Sequence, residues 1–547
     1  MQDLRYPSLR VDGQPTQLSE WEYGVSGEIV ADRAAAPIAR VIVVGGGSAG
    51  WITAGLLAAE HAEVSISLIE SPNVPIIGVG EGTWPSMRRT LQRLGLSEAE
   101  FVRDCDASFK QGTWFRDWSC QGDSGYLHPF SLPTEFSSLN LANYWLTLEH
   151  SGAFADFVTP QADVVKAGLA PKQCGTPDFA FNVNYGYHFD AGKFAQVLKR
   201  HVTQNLGVEY VSAHINGVER AENGDIARLI LDDGELAGDL FVDCSGQQSL
   251  LLGQQMGVDL VPADGILFND RALAVQVPYE SPDASIASTT HSTAQDAGWI
   301  WDIGLQSRRG LGYVHSASHT TPDQAHEALC RYIEQTAPAI AVADLTFREL
   351  SFVPGYRKTF WDHNCVAVGL SAGFIEPLEA SALALVEQSA NILCDHFPST
   401  RQIMDVVSKR FNEKMHYHWQ GIIEFLKLHY VLSQRDDSDY WRANRDPSSC
   451  PESLTEKLLL WRQQAPWHDD APRIDELFPS ASYQYVLYGM KQRQMHGKQS
   501  SARLAKDLAK AQGAVKMTRE RGTQMRAALP SNRDLIRSMT ERAGTAA

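Results

Sequence analysis

The sequence predicts a mixed α/β (α+β) protein: a parallel-sheet nucleus that the chain enters more than once, an interleaved β-rich region, and a helical C-terminal part. Three observations predict it. Val41–Val44 is an unbroken β-branched run, followed by a glycine turn, a helix-like stretch (WITAGLLAAEH) and a second strand, VSISLIE, which is the order and size of a βαβ unit. A strand ending in small residues then returns twice, as DLFVDCSG at 239–246 and as Asn364–Leu370. After Pro377 the pattern is helical almost to the end.

The other elements follow in order. Residues 1–37 lack periodicity and are expected to form an arm on the body. From 86 to about 118 the pattern reads as helical, through MRRTLQRLG and on through ASFKQGTWF. The stretch 119–190, rich in aromatics, Pro and Asn, reads as irregular walls. Asp190–Asn205 reads as an amphipathic helix, GVEYVSAHINGVER and DIARLILDDGE as two strands, and 265–354 as β-rich. The expected division is a module over 38–400 with pocket walls at 119–190 and 265–354, a helical substrate-side subdomain over 401–490, and a basic helical tail over 491–547, read as a solvated extension available for packing on the acidic body or for a subunit contact. No fixed-period repeat occurs.

Composition narrows the function class. At 547 residues with 44% hydrophobic and 21% charged residues, the chain can fold a sizeable core and is not disordered as a whole. A formal charge of −17 argues against nucleic acid as the main partner. The charge is polarised: residues 491–547 hold 13 Lys/Arg against 4 Asp/Glu, so the remainder is more acidic than the total. Eight cysteines without a CxxC suit neither a zinc site nor a disulfide framework. His416 and His418, two apart on a helix, face different ways, so no metal ligands are assigned. The N-terminus has no apolar signal core, and glycines break the most apolar stretch. A cytoplasmic chain without a membrane span is expected.

Gly45, Gly47 and Gly50 satisfy GxGxxG between a buried strand and a helix, and Glu70 ends the next strand about 20 residues on. Gly45 permits the tight turn, Gly47 lets a pyrophosphate approach the backbone, and Gly50 lets helix and strand pack. The amides of Ser48 and Ala49 open the helix toward that phosphate. Glu70 can accept from ribose hydroxyls. A dinucleotide cofactor is therefore expected, and a single fingerprint in so long a chain favours FAD reduced from outside. The same glycines spell GxSxG around Ser48, a hydrolase elbow, but that motif requires neither Gly45 nor Glu70.

Further segments add to this: GVGEGTWP (78–85), ASFKQGTWF (107–115), GWIWDIGL (298–305), GLSAGFIEPLEASAL (369–383) and EFLKLHYVLSQRDDSDYW (424–441). In this order the chain resembles the flavin-dependent halogenases of the tryptophan-halogenase type, from about residue 40 to 465. The resemblance implies a Rossmann-like, FAD-binding flavin-monooxygenase fold. It also implies reduced FAD from a separate flavin reductase, and hypohalous acid generated from dioxygen and chloride or bromide. That acid halogenates a free, electron-rich aromatic such as indole or tryptophan. A homodimer is a further expectation.

The resemblance also assigns residues. Lys110 matches the active-site lysine that positions hypohalous acid, and Glu379 the glutamate that stabilises the arenium cation and takes its proton. Glu379 is favoured over Glu376, which precedes Pro377 and reads as structural. Gly78, Val79, Gly80, Ser245, Gly246, Gly369 and Leu370 match loops near FAD. The amides of Ser381 and Ala382 match the halide cradle. His128 and Phe130 match rings that sandwich the substrate, and Trp299 and Trp301 match a wall between flavin and substrate that discourages monooxygenation.

Two departures stand out. Glu379-Ala380-Ser381-Ala382 replaces Glu-Ser-Thr-Gly, and the lost glycine is expected to alter the turn. Gly304 replaces a proline and is expected to loosen its turn and reshape the pocket. An aromatic hydroxylase that dispenses with Lys110 and Glu379, or a non-catalytic flavin protein, is the alternative.

Overall fold

The β-branched run at Val41–Val44 is buried on both sides because its strand, Arg40–Val44, lies inside a six-stranded sheet. The computed structural model describes residues 36–73, 80–145, 152–492 and 501–545; the expected arm, apart from its last two residues, and Gly78 and Val79 lie outside them. The sheet order is Trp361–Asp362, Cys365–Ala367, Leu240–Asp243, Arg40–Val44, Ser65–Glu70 and Glu209–Ser212. Neighbours are parallel except at the Trp361–Asp362 edge. Both returns of the chain thus dock on one side of the first strand, and their small-residue turns fall at the same end of the sheet as the glycine turn. Helix Ser48–Glu60 packs against helices Ala191–Asn205 and Ser381–Asp395.

A second sheet has seven strands, in the order Phe347–Ser351, Arg271–Pro278, Arg308–His315, Gly298–Gly304, Thr290–Gln295, Gly112–Arg116 and Tyr126–Pro129. All neighbours are antiparallel except Thr290–Gln295 with Gly112–Arg116. Strand alternation splits Gly298–Gly304 into Trp299 and Trp301 on one face and Ile300 and Asp302 on the other. Ile300 joins Leu329 and Ile333 of helix Pro322–Thr336 in a separate apolar cluster. A small sheet of Glu81–Gly82, Gly186–Phe189 and Ser108–Lys110 carries Lys110.

Three expectations need correction. The helical pattern stops at Asp104; Asp106 turns left-handed at φ 54°, and Ser108–Lys110 and Gly112–Arg116 are strands. Cross-strand partners some 80 residues downstream override the local helix preference. The segment read as two strands holds four, because the chain leaves the parallel sheet after Glu209–Ser212 and builds an antiparallel trio, Ile215–Arg220, Ile226–Leu231 and Gly234–Ala237.

The third concerns the basic tail, which is not simply solvated. Its helices, Ser501–Ala528 and Asn532–Thr545, put Leu535 and Ile536 in the main core. Thr518 bonds the Thr134 hydroxyl at 2.7 Å. Asn532, fully buried, donates to the carbonyls of Phe109 (3.1 Å) and Ala287 (3.3 Å). Among the described residues, no helix is long and apolar enough to cross a membrane.

Candidate active site

On the nucleotide side, the fingerprint is as tight as its spacing implies. Gly45 has φ 119°, and a Cβ there would collide with the Cys244 carbonyl. A Cβ on Gly50 would strike the Gly45 carbonyl, so helix and turn touch backbone to backbone. The helix beginning at Ser48 has no side-chain cap, and nothing lies within 4 Å of a Cβ built on Gly47. Its first amides are thus free to meet an anion. Glu70 sits at the end of its strand with Lys199 Nζ at 3.3 Å. Ser245–Gly246 and Gly369–Leu370 approach from the neighbouring strands, and a Cβ on Gly369 would lie 2.8 Å from that of Ala49. An uncapped helix start, open glycine edges and one acidic acceptor fit the pyrophosphate and ribose of FAD. Gly80 begins the described part of the next loop.

The residues matched to a halide cradle lie close by. Ser381 and Ala382 open helix Ser381–Asp395, whose N-cap, Ala380, offers no side-chain acceptor. With Gly369, Leu370 and Trp419 they line a cavity of about 20 Å³. The expectation for the lost glycine is corrected here. Ala382 lies in ordinary helix, while the left-handed residues are Glu379 (φ 63°) and Ala380 (φ 57°), so the turn does not need glycine at 382. Left-handed backbone at two non-glycine residues costs on the order of 1 kcal/mol each. The Trp84 indole N–H, donating to the Glu379 carbonyl at 2.7 Å, helps to hold the turn.

Lys110, Glu379, His128 and Phe130, drawn from three separate parts of the sequence, meet beside that turn. Lys110 is 1% exposed, and its Nζ stands 5.5 Å from the centre of the Phe130 ring. Burial pushes its amine down to about 8, against the pull of Glu379. A Cβ on Gly82 would lie 3.1 Å from Nζ and 3.4 Å from Ala380 Cβ, so this glycine keeps open the space between lysine and turn. Glu379 Oε1 lies 2.6 Å from His128 Nδ1 and 3.1 Å from His429 Nε2, while among the described residues Oε2 receives only the Thr113 hydroxyl at 3.4 Å. Burial alone would raise the Glu379 carboxyl; the two histidines outweigh it and hold the group well below the usual carboxylate range. His128 Nε2 continues to the Ser482 hydroxyl at 3.0 Å.

The tryptophan strand adds a wall. Trp299, 1% exposed, donates from Nε1 to Glu376 Oε2 at 2.7 Å. The same oxygen accepts from Asn269 Nδ2 (2.7 Å) and the Tyr430 hydroxyl (2.6 Å). Burial raises the Glu376 carboxyl against these three bonds, which place Glu376 in a supporting network and leave Glu379 facing Lys110. Trp301 packs over Gly312 of the adjoining strand. Gly304 is no loosened turn: it closes the strand Gly298–Gly304, its carbonyl accepts from the Ser108 hydroxyl at 2.5 Å, and it faces away from Trp299. It lines instead a cavity of about 670 Å³ on the reverse face of the sheet, with Arg116, His291, Asp302, Arg309 and Tyr332. Lys110, Glu379, His128 and Trp299 do not line that cavity, and its Arg309 and Tyr332 are both bonded to Asp302.

Sequence reasoning missed His429, Ser482, Thr113, Gly82 and Trp84. His429, Thr113, Gly82 and Trp84 stand in motifs quoted above, but none shows a spacing that names its partner. Ser482 lies outside every such motif.

A family model described as tryptophan halogenase matches residues 40–506. Tryptophan 6-halogenase SttH from Streptomyces toxytricini is 30% identical over 530 residues, covering 92% of this chain and 98% of that protein. The 7-chloro-L-tryptophan 6-halogenase KtzR from Kutzneria sp. (strain 744) is 31% identical over 522 residues, covering 91% and 99%. Among solved structures, the tryptophan halogenase from Shewanella frigidimarina NCIMB 400 aligns with a TM-score of 0.89 at 46% identity, over 93% of this chain and 99% of that one.

Proposed function

The chain belongs to the tryptophan halogenase family of flavin-dependent enzymes, and we propose that it halogenates a free, electron-rich aromatic of the indole or tryptophan type, with Lys110 and Glu379 as its catalytic residues. Reduced FAD, supplied by a separate flavin reductase, provides hypohalous acid from dioxygen and halide when bound. The observation that carries this reading is the convergence of the buried Lys110, Glu379 and His128 with the half-buried Phe130, Glu379 lying two residues along the chain from the helix start at Ser381.

The chemistry of each group follows from its surroundings. An arene positioned between His128 and Phe130 presents its carbon to a hypohalous acid held by the Lys110 ammonium. The carbon–halogen bond forms as the halogen–oxygen bond breaks, and a proton from the Lys110 ammonium completes water. Glu379 Oε2, the less occupied oxygen, stabilises the arenium cation and takes the proton from the carbon. Return of that proton from Glu379 to the Lys110 amine restores both groups, and arene and hypohalous acid give haloarene and water. Trp299, anchored by Glu376, is proposed as the wall on the flavin side.

Mass spectrometry of indole and tryptophan incubated with the protein, FAD, a flavin reductase, NADH and either chloride or bromide tests this. A halogen mass shift that persists with catalase and is lost in Lys110→Ala is expected. A hydroxylated product surviving Lys110→Ala would overturn the reading.

A further inference from the structure

His429 poses a question of proton accounting. It is completely buried in helix Arg401–Val431. Its Nδ1 lies 2.9 Å from the Phe425 carbonyl, which can only accept, so Nδ1 carries hydrogen. Its Nε2 lies 3.1 Å from Glu379 Oε1. Either Nε2 also carries hydrogen and the ring is an imidazolium facing a carboxylate, or the carboxyl is protonated and donates. In both cases the pair holds one proton more than a neutral imidazole beside an ionised glutamate. His128 is under no such constraint, because Ser482 on its far side can donate or accept.

The surroundings decide where the proton sits. Phe115, Phe425 and Trp118 enclose the His429 ring at centroid distances of 4.8, 5.2 and 6.0 Å, and Glu379, which also meets His128 and the Thr113 hydroxyl, is favoured ionised, leaving the proton on the ring. Of the charged and titratable groups around it, Glu379 is within ion-pair distance; Glu376, on the segment preceding Glu379, feels its charge at longer range. His128 and Lys110 face Glu379 from the other side, and Tyr430 follows His429 on its own helix and is bonded to Glu376.

We propose that His429 is a positioning residue which, as a buried imidazolium, holds Glu379 ionised with Oε1 occupied and Oε2 directed to the substrate. This deepens the halogenase reading and rests on it for the role of Glu379. The proton geometry stands apart from turnover.

The test compares His429→Gln, which keeps an N–H donor without the charge, with wild type. The expected result is a carboxylic acid band in the infrared spectrum of H429Q that disappears when Glu379→Gln is added. Wild-type protein should show no such Glu379 band at neutral pH. In parallel, the acid limb of halogenation against pH should move up by about one unit or more in H429Q. Identical spectra and an unmoved limb would overturn the proposal. Should H429Q not fold, ring-15N histidine spectra of the wild type decide: protons on both His429 nitrogens are expected, and a neutral ring overturns it. A wild type without halogenated product would sink the halogenase reading alone, since the spectra report on His429 either way.

Discussion

At Lys110 the fold holds an amine where water cannot reach it. Burial draws its titration from 10.5 down to about 8, so the unfolded chain binds more protons across that window, and stability rises with pH there. Below about 8 the full cost of burying the ammonium is present. Lys110→Met should therefore stabilise the protein near neutral pH by about 1–3 kcal/mol while abolishing halogenation. The gain should shrink as pH rises through the window, as measured by denaturant unfolding at neutral and alkaline pH. A gain that grows with pH would contradict the assignment. An amine retained at this cost is poised to trade protons close to working pH.

At the level of elements, the strand Gly298–Gly304 and the turn at Glu379 are coupled by the Glu376 carboxylate. Glu376 gathers Asn269, Trp299 and Tyr430 on one oxygen, and its other oxygen has no partner among the described residues. Removing the side chain strands three buried donors. Glu376→Ala should cost about 3–5 kcal/mol, whereas Glu376→Gln, which keeps an acceptor, should cost roughly 1–2 kcal/mol. Thermal unfolding and Trp fluorescence read the difference, and equal losses would show that the network does not hold the tryptophan wall. Glu376 was legible as structural from Pro377 beside it, but its three partners were not.

Over the whole molecule, the last helices brace the lysine strand from behind. Asn532 bonds the carbonyl of Phe109, the residue before Lys110, from 423 positions away. Asn532→Ala should lose about 1–3 kcal/mol of stability and weaken product formation by lysine misplacement; unfolding midpoints and turnover check both, and an unchanged midpoint would leave the tail as mere covering. The acidic body and basic tail meet in contacts such as Arg537 with Asp283 at 2.7 Å. Exposed pairs of this kind add little, so the buried Asn532, Leu535 and Ile536 carry the docking.

What the sequence determined by itself was whatever a short stretch encodes. The glycine spacing of 45–50 and Glu70 point to a nucleotide cradle because turn, helix start and strand end are consecutive. The Lys110 and Glu379 segments carry their family likeness within a dozen residues each. Tertiary structure decided what depends on partners far along the chain. It made Lys110 a strand residue through Gly186–Phe189, and placed the strain at Glu379 and Ala380 rather than Ala382. It also closed a clamp running from Ser482 through His128 to Glu379 and His429, whose members lie 354, 251 and 50 positions apart. The physical reason is that a local pattern fixes backbone conformation, whereas the protonation and direction of a buried carboxylate are set by the few groups that surround it in space.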